Sequence, residues 1–235
     1  MKTFFIFMVS ITLFIPGMAQ KKYAISVGTG LGSYSMDDLK EFQDANESNF
    51  QDLLKTVDDF PAYVYYRGEI TRKFGNKFSA GATYRFESTG YKSSYSDYSG
   101  SISFQQTLQV QQAGIVMGYE ILKRNKVSLS AQLRGYYSWT ACDFEYRVAL
   151  TGSPTVLLES VDFESNSTMI NPAFNLAYLV LDRLSLHLTV GYCLDMQGEL
   201  KLKNKPEYSL TLPDQSPVKS DWSGMRAGLA VSFSF

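Results

Sequence analysis

The chain has 235 residues, with 22 Lys and Arg against 23 Asp and Glu and a formal charge of −1. That balance gives no basic excess to attract nucleic acid, and the length suits about one domain. Sixteen Tyr, sixteen Phe and two Trp make 14% of the chain aromatic, which fits strands and membrane interfaces better than a helical enzyme.

At the amino end, Lys2, the apolar run Phe4 to Ile15 and the small-x-small triplet Gly17-Met18-Ala19 have the layout of a secretory signal peptide. A run of about 12 apolar residues is too short to cross a bilayer as a helix, and no later run is uninterrupted enough. Cleavage after Ala19 is expected, leaving a mature chain that begins at Gln20 and has lost one lysine and no acid, for a formal charge of −2. A lipoprotein would carry cysteine where Gln20 stands. The expected division is residues 1–19 as signal peptide and 20–235 as one domain.

Tyr23, Ile25, Val27, Thr29 and Leu31 alternate with Ala24, Ser26, Gly28 and Gly30, a first strand with one nearly bare face. An insertion follows. Ser35 can cap a helix there, with Leu39, Phe42, Phe50, Leu53 and Leu54 on one side and Asp37 and Asp38 at its positive end. The second strand sets Val64, Tyr66, Gly68, Ile70, Arg72 and Phe74 against Tyr63, Tyr65, Arg67, Glu69, Thr71 and Lys73, and Gly75-Asn76 reverses it. The third carries Phe78 to Glu87 and is expected to dissolve into a Ser/Tyr-rich loop over Tyr91 to Ser101.

In the fourth strand, Leu108 and Val110 have the opposite parity to Ala113, Ile115, Met117, Tyr119 and Ile121, which predicts a bulge near Gln111 and Gln112. After a turn at Lys123 to Lys126, the fifth strand faces Val127, Leu129, Ala131, Leu133, Tyr137 and Trp139 one way, and a loop is expected from Cys142 past Pro154. The sixth returns through Pro172, Phe174, Leu176, Tyr178 and Val180, and turns at Asp182-Arg183. The seventh carries Leu184 to Leu194, a loop runs from Asp195 to Asp221, and Gly224 to Phe235 alternates to the carboxyl end. Three short turns against four long connections, with an even strand count, is the plan of a membrane barrel.

Alternation alone fits a lipocalin-like barrel equally. The second face decides: Gly28, Gly30, Gly81, Gly118, Gly191 and Gly228 with Arg67, Glu69, Arg85, Glu87, Glu120, Arg134 and Arg226 suit a packed, ion-paired interior. The apolar face carries aromatics at both ends. Tyr23, Phe74, Phe78, Tyr119, Tyr178, Phe233 and Phe235 lie near the short turns, and Tyr66, Phe86, Tyr137, Trp139 and Tyr192 near the loops. Two girdles imply two interfaces and a lipid-facing exterior.

With its export signal, alternating strands and terminal Phe233-Ser234-Phe235, the chain resembles the outer-membrane β-barrel family common in Bacteroidetes, related in architecture to small OmpA- and OmpX-type barrels. The resemblance implies an all-β, antiparallel up-and-down transmembrane β-barrel of about eight strands in the cell outer membrane, with a helical insertion in its first external loop. It implies recognition of the last strand by the barrel-insertion machinery, and contact with outer-membrane lipids including lipopolysaccharide. It brings no catalytic, cofactor or metal residues.

A structural or loop-binding role, with an external protein or glycan as ligand, is favoured over a narrow solute path and over a lipopolysaccharide-modifying enzyme. The one histidine, His187, shares a face with Ser185, but the pair lies near the turn at Asp182, on the side away from lipopolysaccharide. No enzyme activity and no cofactor is expected. The first loop is acidic: Asp37, Asp38, Glu41, Asp44, Glu47, Asp52, Asp58 and Asp59 face only Lys40 and Lys55, in no EF-hand spacing. A solvated helix face is the favoured reading over divalent-cation contact. Tyr91, Tyr95 and Tyr98 offer stacking area for a glycan, while Lys73, Lys77, Lys123, Arg124, Lys126 and Arg183 suit inner-leaflet headgroups. Cys142 and Cys193 fall on strands separated by another, about 9–10 Å apart, too far for a disulfide without bending.

Overall fold

A computed structural model of the chain describes residues 22–48, 55–152 and 156–235. The expected signal peptide lies outside the described residues, as do Phe50, Asp52, Leu53 and Leu54 of the first insertion. In chain order the elements begin with β1 (Tyr23–Gly32), α1 (Asp37–Ser48), β2 (Lys55–Asp59), β3 (Tyr63–Phe74) and β4 (Phe78–Ser96). There follow β5 (Gly100–Arg124), β6 (Val127–Leu150), β7 (Val156–Leu181), β8 (Leu184–Asp195), β9 (Gly198–Glu199) and β10 (Lys201–Leu202). Last come β11 (Lys205–Ser209), β12 (Lys219–Ser220) and β13 (Gly224–Ser234).

Eight strands form a closed antiparallel ring. β1, β3, β4, β5, β6, β7 and β8 each pair with the next, β8 pairs with β13, and β13 pairs with β1 from Ala24↔Ser234 to Gly32↔Arg226. Closure leaves the ring no open edge. Tight turns join the strands at one end: Gly75 takes φ +62° and Asn125 φ +49°, the left-handed region that these two residue types tolerate.

The expected faces are realised. Leu188, Leu229, Ile70, Ile115 and Phe174 point outward and are exposed, while Arg67, Glu69, Arg85, Arg134 and Arg226 point inward and are buried. From Val127 to Tyr137 along β6 is roughly 25 Å once strand tilt is allowed for, the height of a lipid-facing belt. Both girdles stand at its limits, with Phe78 on Tyr119 (5.0 Å between ring centres) below and Tyr137 on Trp139 (4.9 Å) above. Leu188→Arg places a charge at mid-belt; it should cost about 2–4 kcal/mol in urea unfolding from lipid vesicles.

Three sequence expectations need correction. The Ser/Tyr-rich segment is strand, since β4 and β5 pair without a break from Phe78↔Tyr119 to Ser96↔Ser101. No bulge lies at Gln111 and Gln112; the register shift is lower, between Glu120 and Leu122. Nor is Cys142 to Pro154 a loop, because β6 continues to Leu150 and β7 already begins at Val156, well before Pro172. Pro172 lies mid-strand where the β7–β8 ladder is interrupted between Ile170↔Leu194 and Ala173↔Gly191, and the Asn171 side-chain amide donates to Tyr192 O (2.9 Å) at the gap that its missing N–H leaves.

One physical cause underlies all three corrections. Above Trp139 the strands leave the lipid, and the polarity of their faces inverts. Leu108, Val110, Cys142 and Phe144 are buried inside, while Gln105, Gln109, Gln111, Asp143, Glu145 and Arg147 are exposed outside. The parity change at Leu108 and Val110 thus marks the water boundary on a straight strand. From Thr140 to Leu150, β6 runs on for roughly 33 Å along the strand, about 25 Å beyond the belt at the same tilt. β2 pairs with β4, and β10 with β7 and β11, so a sheet rather than loops stands outside the membrane.

This projection has an apolar core. Tyr34, Met36 and Leu39 from the first insertion meet Leu200, Leu212, Val218 and Trp222 from the last, against Tyr91, Leu108, Phe144 and Met169 of the strands. The two insertions are tied together, Ser35 N donating to Ser223 O (3.0 Å) and Met36 N to Asp221 O (3.2 Å). The Ser35 hydroxyl accordingly points to Ser223 O (3.4 Å) and does not cap α1. Met36, at φ +50°, precedes the helix and its carbonyl accepts the Lys40 N–H at 3.0 Å.

Candidate functional site

The barrel interior has three levels. At mid-height are four buried arginines and two buried glutamates. Glu87 receives Arg85 Nε at 2.7 Å and Arg226 Nη2 at 2.9 Å, and Glu69 receives Arg134 Nε at 2.7 Å and Arg67 Nε at 3.4 Å. Each carboxylate serves two guanidiniums. Aromatic faces add support: Arg85 lies 4.6 Å from the Tyr136 ring centre and Arg226 4.7 Å from that of Tyr34. The glycine face makes room for this layer, since a Cβ at Gly30 or Gly228 would strike the buried Tyr65 ring.

Above that layer, Trp222 is fully buried, its indole N–H donating to Thr140 Oγ1 at 3.0 Å. Its backbone N–H donates to Asp195 Oδ2 (3.0 Å), which fastens the last insertion into the mouth. With Tyr65, Tyr136, Arg85 and Gln112 also buried, side chains fill the lumen from mid-height upward. A solute path would have to displace them.

Below the layer a cavity of about 220 Å³ is walled by residues of the short turns, including Asn76, Lys77, Asn125 and Lys126, and by Arg67 and Glu69 deeper in the barrel. Ser185 and His187 line it, as the sequence pairing suggested. Ser185 Oγ is 2.9 Å from His187 Nε2, and His187 Nδ1 is 3.2 Å from Asn175 Oδ1. Thr189 donates to the same Asn175 oxygen (3.1 Å) and accepts from Arg67 Nη2 (3.4 Å). Asn175 Oδ1 only accepts, so Nδ1 carries the imidazole proton and Nε2 is free to accept from Ser185. Asn175 and Thr189 are buried on the inward faces of β7 and β8, and nothing in the sequence linked them to the pair.

The other candidate residues are dispersed. Tyr91 is buried against Phe60 (5.9 Å between ring centres), leaving Tyr98, 92% exposed, as the tyrosine that stands free at the tip of the β4–β5 hairpin. Tyr95 donates to Asp97 Oδ2 at 3.0 Å. In the acidic insertion Asp38 Oδ2 accepts the Lys219 N–H (3.1 Å), and among the described residues no group of three or more His, Cys, Asp or Glu is placed to hold a metal. Cys142 and Cys193 are both free and buried; Cys142 Sγ accepts from Gln106 Nε2 at 3.2 Å and Cys193 Sγ from Arg85 Nη2 at 3.4 Å. Lys73, Lys77, Lys123 and Lys126, read as headgroup anchors, line the cavity.

A closed eight-strand ring with an apolar belt, two aromatic girdles and a charged, filled interior is an outer-membrane β-barrel, and the protein belongs to the cell outer membrane. Among solved structures, the chain is similar to a major outer membrane protein from Thermus thermophilus, at 10% identity and a TM-score of 0.52, over 91% of this chain and 99% of that one. OprG from Pseudomonas aeruginosa aligns at 10% identity and a TM-score of 0.41 over 91% and 96%. Ail of Yersinia pestis aligns at 10% identity and a TM-score of 0.34 over 91% and 98%. No protein-family profile and no curated protein matches the sequence.

Proposed function

We propose that the protein is an exported outer-membrane barrel of the Bacteroidetes type whose external projection binds a protein or glycan outside the cell, acting by contact without catalysis. The observation that carries this reading is the extension of β4 to β7 far beyond the belt, with its own apolar core. Spanning the bilayer takes about 9–11 residues per strand, whereas β5 has 25 and β7 has 26. A rigid sheet loses little entropy on binding, unlike a mobile loop. Residues 1–19 act as its signal peptide, lipopolysaccharide surrounds the upper girdle, and the last strand is the one handed to the insertion machinery.

Protein in nanodiscs, screened on glycan and extracellular-matrix protein arrays, tests the reading. A ligand lost on Tyr98→Ala and on shortening the β4–β5 tip, but kept when Lys126 is changed, supports it; ligands indifferent to the tip contradict it. Amino-terminal sequencing of the mature protein should begin at Gln20.

A second reading has one specific observation in its favour, the Ser185–His187–Asn175 chain, which orients a base toward a hydroxyl nucleophile in the cavity. Its substrate would be a small soluble ester entering from the periplasm, because lipopolysaccharide lies at the opposite interface. Covalent labelling by a fluorophosphonate that disappears in Ser185→Ala and in His187→Ala is the expected mark of that activity, and absence of labelling removes it.

A further inference from the structure

We propose that the cavity at the short-turn end of the lumen is a binding site for a compact phosphate-bearing anion. This goes beyond the external role above, which concerns the opposite end of the barrel.

The first ground is a charge surplus in its roof. Glu69 Oε1 alone receives Arg67 Nε (3.4 Å) and Arg134 Nε (2.7 Å), so one carboxylate offsets two guanidiniums. Both arginines are more than nine-tenths buried; Arg67 lines the cavity, while Arg134 stands outside its lining with an Nη1 that has no hydrogen-bond partner among the described residues. The layer above repeats the imbalance, with Arg85 and Arg226 on Glu87. Buried positive charge without a counter-charge is costly, and an anion below Arg67 offsets it.

The walls supply the second ground. Six cations, Lys22, Arg67, Lys73, Lys77, Lys123 and Lys126, line the cavity against the two acids Glu69 and Glu120. Low-dielectric walls of one charge sign focus the field and concentrate counter-ions. The cavity volume of about 220 Å³ corresponds to about seven waters, enough for a phosphate group with a small substituent. Ser128 adds a hydroxyl donor to the same walls. A guanidinium above and ammonium groups around the entrance suit a tetrahedral oxyanion, which accepts from several directions at once.

Because the lumen above is filled, the ligand enters and leaves on the periplasmic side, and the site is a pocket rather than a conduit. Two sources present this chemistry there: a soluble phosphate compound, or the headgroup of an inner-leaflet phospholipid reaching into the mouth.

The test is calorimetric titration of inorganic phosphate into the mature protein in maltoside micelles, which contain no phosphate, at constant ionic strength. One saturable site per chain is expected, weakened about tenfold by Arg67→Gln and severalfold by Lys73→Gln. Heat-dependent gel mobility checks that each variant is folded, and Lys73→Gln decides the matter where Arg67→Gln does not fold. Repeating the titration in phosphatidylglycerol nanodiscs separates the sources: unchanged affinity identifies a soluble ligand, and weakened affinity identifies a competing headgroup. No saturable binding in micelles, or binding that Lys73→Gln leaves unchanged, overturns the proposal.

Discussion

Replacing Glu87 with glutamine should destabilise the folded barrel by about 3–5 kcal/mol, because two guanidiniums then lose the one carboxylate they share. Arg85 and Arg226 are 1% and 2% exposed, so neither can turn to water, and Arg226 Nε also donates to Glu87 Oε1 at 3.2 Å. Glutamine keeps the volume and one acceptor oxygen, which makes the loss one of charge rather than packing. Glu69→Gln should cost less, since Glu69 borders the cavity and water can solvate Arg67 there. Urea unfolding from lipid vesicles, followed by tryptophan fluorescence, measures both. Equal effects for the two variants would mean that the two layers are equally hydrated and would contradict the expected difference.

Trp222→Ala should cost about 3–5 kcal/mol in the mouth of the barrel while leaving the ring intact. The indole sits edge-on to Tyr34 (5.1 Å between ring centres), its N–H reaches Thr140, and its backbone carbonyl accepts Arg226 Nη2 at 2.8 Å. Removing it leaves a hole between the two insertions, but the eight-strand ladder makes no use of it. Amide exchange around Leu200 and Val218 should therefore quicken by about two to three orders of magnitude, with exchange in β1 and β13 unchanged. The last insertion should also become open to protease, and the folded band should persist on unheated gels. Slow exchange at both places would show that the insertions hold without the tryptophan.

The belt was legible because lipid on one side and a polar interior on the other impose a strict two-residue period. Strands such as β1, β8 and β13 spend their whole length there, and their faces and ends were read correctly from Tyr23 to Leu31, Leu184 to Leu194 and Gly224 onward. The projection was not legible in the same way. Beyond Trp139 water replaces lipid outside, so the polar residues Asp143, Glu145 and Arg147 face outward and the alternation changes phase. A phase change has two readings, a bulge or a change of solvent, and only long-range pairing such as Gln106↔Phe144 distinguishes them. For the cavity, inward Arg67, Glu69, Ser185 and His187 were readable one by one. Their convergence with Asn175 and Thr189 depends on ring closure, which brings together β3, β7 and β8.

Labelling accessibility along β6 tests the inversion of faces most directly. With Cys142 and Cys193 replaced by serine, single cysteines would be placed at Leu129, Leu133, Tyr137, Asp143, Glu145 and Arg147 in protein displayed on intact cells. All six positions share the outward face. The three upper positions should react with a membrane-impermeant maleimide from outside, while spin labels at the three lower ones should respond to lipid-dissolved oxygen and not to a water-soluble relaxation agent. Lower positions that respond to the aqueous agent, or upper positions shielded from the maleimide, would contradict a lipid-embedded barrel that carries its strands out into water.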